Sequence, residues 1–217
     1  MNISLPFNTS TNFSTTSMGS RKTALVVVQS FICLILNIAA LVGNLLVCVA
    51  LYRNPSLRTV TNNFVLSLAL TDLLMAVIVM PAFTVSSFAN SWIAGEVASQ
   101  VTFFSFNVAA GVSQLGVMLL AVNRYFRVVR PTLYRRIYSK RSSALMVVTT
   151  WIVTILVSAS ITLLGISDEH NEFYPLSFSL CFPNKTASIY YHTALSVYKV
   201  FPFFVICSCY IRIYQTT

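Results

Sequence analysis

Charge is what this sequence has least of. Only 9% of its 217 residues are charged and 56% are hydrophobic, whereas a soluble domain of this size is usually about one-quarter charged. That excludes an ordinary globular protein and leaves apolar surface that must face lipid. Acids are scarcer than bases, five against 14. Nothing has the spacing of a metal-ligand set, a phosphate loop or a nucleophile with its base. No metal, no cofactor and no catalysis are therefore expected. No internal repeat, soluble domain or cleavable signal peptide is expected from the sequence, and the first apolar run is read as a signal anchor.

The missing charges fall in blocks. None lies between Lys22 and Arg53, between Glu96 and Arg124, or between Arg141 and Asp168. Arg58 to Glu96 holds only Asp72, and Lys185 to Arg212 holds only Lys199. Each block exceeds the roughly 20 residues that cross a bilayer as a helix. Backbone in hydrocarbon must satisfy its own hydrogen bonds, which makes each block helical. The predicted fold is an all-α membrane protein with five transmembrane helices near residues 24–52, 61–87, 97–129, 142–165 and 188–214. Residues 1–23 form a polar tail and residues 24–217 the bundle.

What charge there is sets an orientation. Arg127, Arg130, Arg135, Arg136, Lys140 and Arg141 follow the third span, while Glu96, Asp168, Glu169 and Glu172 lie in the opposite loops. The positive-inside rule places the arginine-rich loop in the cytoplasm and the amino terminus outside. Asn-x-Ser/Thr sequons at Asn2, Asn8, Asn12 and Asn184 all fall in segments predicted to be external, as candidate glycosylation sites. The net charge of +9 lies mostly beside the anionic inner leaflet, so membrane lipid accounts for it. No nucleic-acid partner is implied.

Polar groups inside a membrane are costly and mark functional candidates. Asn44 lies in the first span, Asp72 in the second, and Asn107 and Ser113 in the third. Asp72 and Asn44 either serve an ion or proton site or simply bond across the bundle. Lys199, with Tyr198 beside it and Pro202 just beyond, is read as roughly 15 Å into the fifth span, near mid-membrane. It either faces the bundle or snorkels outward. Arg124 closes the third span, where a plain interfacial arginine is also common.

Five landmarks then occur in order: "GNLLVCVAL", "TNNFVLSLALTDLL", "NRYFRVVRP", Trp151 in "VTTWIVTIL", and "FPFF" followed by Tyr210. The ordered set resembles a rhodopsin-like (class A) G-protein-coupled receptor over roughly residues 24–215. "NRY" and "YRRIYSKRSS" resemble the melatonin-receptor-like subgroup. The family has seven helices, so the chain resembles the first five.

The resemblance implies roles residue by residue. Asn44, Asp72 and Ser113 match a polar cluster that often holds a sodium ion at rest. Its seventh-helix members are missing, so no complete ion site is expected. Arg124 matches the arginine that locks the cytoplasmic end at rest and meets the G protein when active. Tyr210 matches the tyrosine that joins it in the active state. Trp151 and Pro202 match structural positions. Most of the family has an acid before that arginine; here Asn123 precedes Arg124 and Tyr125 follows. Phe106 stands where amine receptors carry an acidic anchor, which implies a ligand other than a cationic amine, with Asn107, Tyr198 and Lys199 as further pocket candidates. Cys181 fits the loop partner of the family's outer disulfide, but Ser99 stands where the other cysteine is expected, so the bridge is expected to be missing.

The implied function is transduction of an unknown extracellular ligand to a heterotrimeric G protein at the plasma membrane, without catalysis. Two other readings stay open. One is a C-terminally truncated, non-signalling product that associates with full-length receptors and is retained in the endoplasmic reticulum. The other is a transporter or channel, which predicts inverted repeats or rings of intramembrane charge that the sequence does not show.

Overall fold

The computed structural model describes residues 23–89, 95–166 and 185–216. Among them are five long helices and no strand. We label these α1 (Thr23–Arg53), α2 (Val60–Leu74, continued by Met75–Val79 and Met80–Ala89), α3 (Gly95–Val129), α4 (Lys140–Ile166) and α5 (Lys185–Thr216). The predicted spans lie inside these bounds. Four helices are long and apolar enough to cross a membrane by length and composition. In α5 the described apolar stretch is the shorter Val200–Thr216.

Local chemistry explains the ends. Beyond α1 the chain makes a single 3₁₀ turn at Pro55–Leu57. Arg58 then folds back, donating Nε to the Leu51 carbonyl at 3.3 Å and Nη2 to the Tyr52 carbonyl at 2.9 Å. These are among the last carbonyls of α1, which lack helical partners. Thr59 caps α2, its Oγ1 accepting from the Asn62 amide at 3.3 Å. α3 starts at Gly95, whose φ of 80° suits glycine. It stops at Val129 because Arg130 precedes Pro131, and a residue before proline disfavours helical backbone. Pro131 then opens a short helix, Pro131–Ile137, at the N1 position where its missing N–H costs nothing. The Ser139 hydroxyl accepts from the Ser142 amide at 3.0 Å at the start of α4.

Mid-α2 departs from the even helix that the sequence predicts. Met75–Val79 forms a π turn just before Pro81. Proline supplies no N–H to the ladder and its ring crowds the carbonyl four residues back. One wider turn accommodates both.

α3 is the central element and packs against α2, α4 and α5, while α1 packs on α2. Buried Phe64, Val79, Val108, Ala109, Val112 and Ala121 form the apolar seam around α3. Small residues let the helices approach. A Cβ on Gly111 would lie 2.6 Å from Thr154 Cγ2, and one on Gly116 would lie 3.0 Å from Leu68 Cδ2. Outside this seam α1 presents Ile35, Leu36, Leu45 and Leu46 to the surroundings, as expected of side chains that meet lipid.

Candidate functional site

The residues of interest gather at one end of the bundle, where α1, α3 and α5 finish and α2 and α4 begin. Asn123 is completely buried. Its Nδ2 donates to Thr61 Oγ1 on α2 at 3.1 Å. Its Oδ1 is buried without a partner. The amide therefore points across to α2 and ties α3 to it. Arg124, the next residue, is exposed, and its Nη1 donates to the Tyr210 hydroxyl on α5 at 3.3 Å. Successive helical residues point about 100° apart, so neighbours face different helices. Tyr125 is half-buried and meets the Phe126 ring edge-on, with centroids 5.3 Å apart.

Further bonds hold α4 to α2, among them one from Asn63 Nδ2 to the Lys140 carbonyl at 3.3 Å. Asn63 Nδ2 donates to Ser143 Oγ at 2.8 Å, and Trp151 Nε1 donates to Ser67 Oγ at 3.0 Å. Trp151 thus uses its one polar atom inside an apolar seam. The loop helix is held by aromatics: Tyr134 stacks on Tyr138 at 5.0 Å, and Phe126 lies 6.0 Å from Tyr138. Burial, then the neighbouring Tyr134 and Cys209, push the Tyr138 hydroxyl above its ordinary range, so it stays neutral. Sequence reasoning missed Thr61, Ser67, Ser143 and the tyrosine pair. All of them lay within quoted motifs, but a motif does not say which helix a side chain meets.

The mid-bundle polar residues are only partly brought together. Asn44 Nδ2 donates to the Ala40 carbonyl of its own helix at 2.9 Å. Its side chain also lies close enough to the half-buried Asp72 carboxyl to interact with it. Ser113 is half-buried, and among the described residues no hydrogen bond joins it to Asp72. Nearer the opposite end, Phe106 and Asn107 are half-buried, and Asn107 Nδ2 donates to the Phe103 carbonyl at 2.9 Å. Tyr198 is half-buried on α5. Lys199 lies in α5, but its side chain is outside what the structure describes, as are Asn2, Asn8, Asn12, Cys181 and Asn184. No group of three or more His, Cys, Asp or Glu among the described residues could hold a metal ion. Cys33, Cys48, Cys207 and Cys209 are free.

The chain is similar to known proteins over most of its length. The family model of the 7 transmembrane receptor (rhodopsin family) matches residues 43–217. The chain is 29% identical over 196 residues to melatonin receptor type 1A of Phodopus sungorus, covering 90% of this chain and 54% of that receptor. It is 30% identical over 172 residues to melatonin receptor type 1C of Xenopus laevis, covering 79% of this chain and 40% of that receptor. The type 1A receptor of Gallus gallus is 29% identical over 174 residues, covering 80% and 48%. The chain thus spans about half the length of the curated relatives it matches. It belongs to the rhodopsin family of seven-transmembrane receptors.

Proposed function

We propose that these helices belong to a receptor that passes the binding of a neutral, melatonin-like small molecule to a heterotrimeric G protein. The observation that carries this reading is the division of labour at the basic end. Asn123 is spent on Thr61 of α2, and Arg124 is left to reach Tyr210 on α5. In the family that arginine meets the G protein, and its partnership with the helix 5 tyrosine belongs to the active state. A receptor with an acid at position 123 would hold the arginine back by charge; an amide cannot. The basal state of this receptor therefore leans toward activity.

The ligand class rests on similarity to melatonin receptors and on Phe106 in place of an acidic anchor. Asn107, Tyr198 and Lys199 line the outer pocket in this reading. In this reading Asn44, Asp72 and Ser113 belong to the polar core, with Asn44 in reach of Asp72. The charge distribution supports an external amino terminus, glycosylated at Asn2, Asn8 and Asn12, with Asn184 external as well, and a plasma-membrane location.

The test uses residues 1–217 joined to the remaining helices of a melatonin receptor and expressed in cells. Melatonin should drive G-protein dissociation, and Arg124→Ala should abolish it while ligand binding at the surface persists. A response that survives Arg124→Ala at equal surface expression refutes the assignment.

A further inference from the structure

We infer that the basic end carries a built site for one anionic glycerophospholipid, between the last turns of α1 and the first turns of α2. A cavity of about 530 Å³ opens there, within the size range of sites that hold small ligands. Its floor is apolar, formed by Cys48, Leu51 and Leu66. Its rim is polar, formed by Tyr52, Arg58 and Asn62.

Arg58 makes the rim a receptor for an anion. Its guanidinium has five N–H donors. Nε and one Nη2 hydrogen go to the Leu51 and Tyr52 carbonyls, which fix the group in place. The remaining donors are available, on a planar fork suited to phosphate oxygens. Among the described residues no acid competes for them. The described residues hold two acids, Asp72 in mid-α2 and Glu96 at the far start of α3, and neither reaches this end. Of the 14 cations, all but Arg21, Lys22, Lys185 and Lys199 lie in the segments that meet here. The described charges around the cavity mouth are therefore all positive.

A free anion would satisfy the rim and leave the floor wet. An uncharged sterol or hydrocarbon would fill the floor and leave Arg58 uncompensated. A phospholipid with net negative charge does both: its phosphate sits on Arg58 and the upper part of one acyl chain lies along Cys48, Leu51 and Leu66. Leu45 and Leu41, exposed one and two turns back from Cys48 on the same face of α1, continue the floor toward lipid. Placing this lipid in the inner leaflet rests on the orientation proposed above; the site itself does not.

The experiment takes the 217-residue chain in nanodiscs of mixed phosphatidylcholine and phosphatidylserine, released for native mass spectrometry to identify retained lipid. Both leaflets carry the same mixture, so a wrong orientation leaves the result unchanged and is revealed separately by where glycans are added. Phosphatidylserine should be retained about five-fold over its share of the mixture, the factor expected of one arginine at an anionic surface. Arg58→Gln should remove the preference. Because Arg58 also caps α1, Leu66→Trp provides the second test: it fills the floor, leaves the rim, and should expel the retained lipid at unchanged helical content. Retention in proportion to the mixture overturns the site. So does a preference that survives Leu66→Trp but disappears in Arg135→Gln/Arg136→Gln, which would mark a diffuse basic surface. Displacement by millimolar inorganic phosphate would assign the rim to a free anion and likewise overturn it. A lipid-free dimer that Leu66→Trp dissociates would assign the cavity to a second copy, with the same consequence.

Discussion

Replacing Asn123 by aspartate tests how the amide shapes the basic end. In the native chain the side chain is fully buried, donates to Thr61 Oγ1 at 3.1 Å, and leaves Oδ1 without a partner. Aspartate removes the donor, so the Thr61 hydroxyl must turn and donate instead. It also places a charge where a carboxylate is stable only if paired. The nearest cation along the chain is Arg124, now 3.3 Å from the Tyr210 hydroxyl. That bond has an exposed donor and an acceptor residue that is 43% exposed, so water competes for both. An ion pair whose cation is exposed in this way contributes about 1 kcal/mol. Withdrawing Arg124 from Tyr210 by that amount lowers the Arg124–Tyr210 population about five-fold. Basal G-protein dissociation, measured in cells on the receptor completed with melatonin-receptor helices, should fall by up to that factor in Asn123→Asp. Melatonin should still activate, because ligand supplies its own bias. Equal basal activity at equal surface expression would refute the reasoning.

Other outcomes follow from neighbouring contacts. Tyr210→Phe should lower basal dissociation two- to three-fold, the effect of about half a kcal/mol for an exposed hydrogen bond; Tyr214→Phe, at a residue 87% exposed, should have no effect in the same assay. Gly111→Ala drives a methyl into Thr154 Cγ2 and should destabilise the protein by about 1–3 kcal/mol, read as a lower melting temperature in detergent; adding Thr154→Ser, which removes that methyl, should restore most of the loss. Lys199→Met should weaken melatonin potency more than it lowers surface expression, and unchanged potency would mean that Lys199 contacts lipid. Expressed by itself, the 217-residue segment should be held in the endoplasmic reticulum with immature glycans at Asn2, Asn8 and Asn12, because α1 buries none of its most apolar window; surface biotinylation reads the outcome.

The sequence made some of this plain and left some of it hidden, for physical reasons. Helix positions were legible because hydrocarbon tolerates few charges, so charge gaps trace the spans directly. α3, expected at 97–129, runs Gly95–Val129, and its end was marked by Pro131. The π turn at Met75–Val79 was hidden because composition says nothing about hydrogen-bond register; Pro81 was its one local sign. The loop helix Pro131–Ile137 was hidden because seven residues carry too little periodicity. At the basic end the sequence pointed to Asn123, Arg124 and Tyr210. It could not say that adjacent residues 123 and 124 serve different helices, since that depends on how α3 is rotated against α2 and α5. Thr61 and Ser67 were missed for the same reason: a small hydroxyl in an apolar run reads as filler until the helix opposite is known.

The central claim is that Asn123 and Tyr210 act on one group, Arg124. A double-mutant cycle of Asn123→Asp and Tyr210→Phe, with basal G-protein dissociation as the readout, tests it most directly. If the new carboxylate has already drawn Arg124 from α5, removing the Tyr210 hydroxyl changes nothing more, and the double variant matches Asn123→Asp alone. Fully additive losses would mean that the two residues act independently, and would contradict the account.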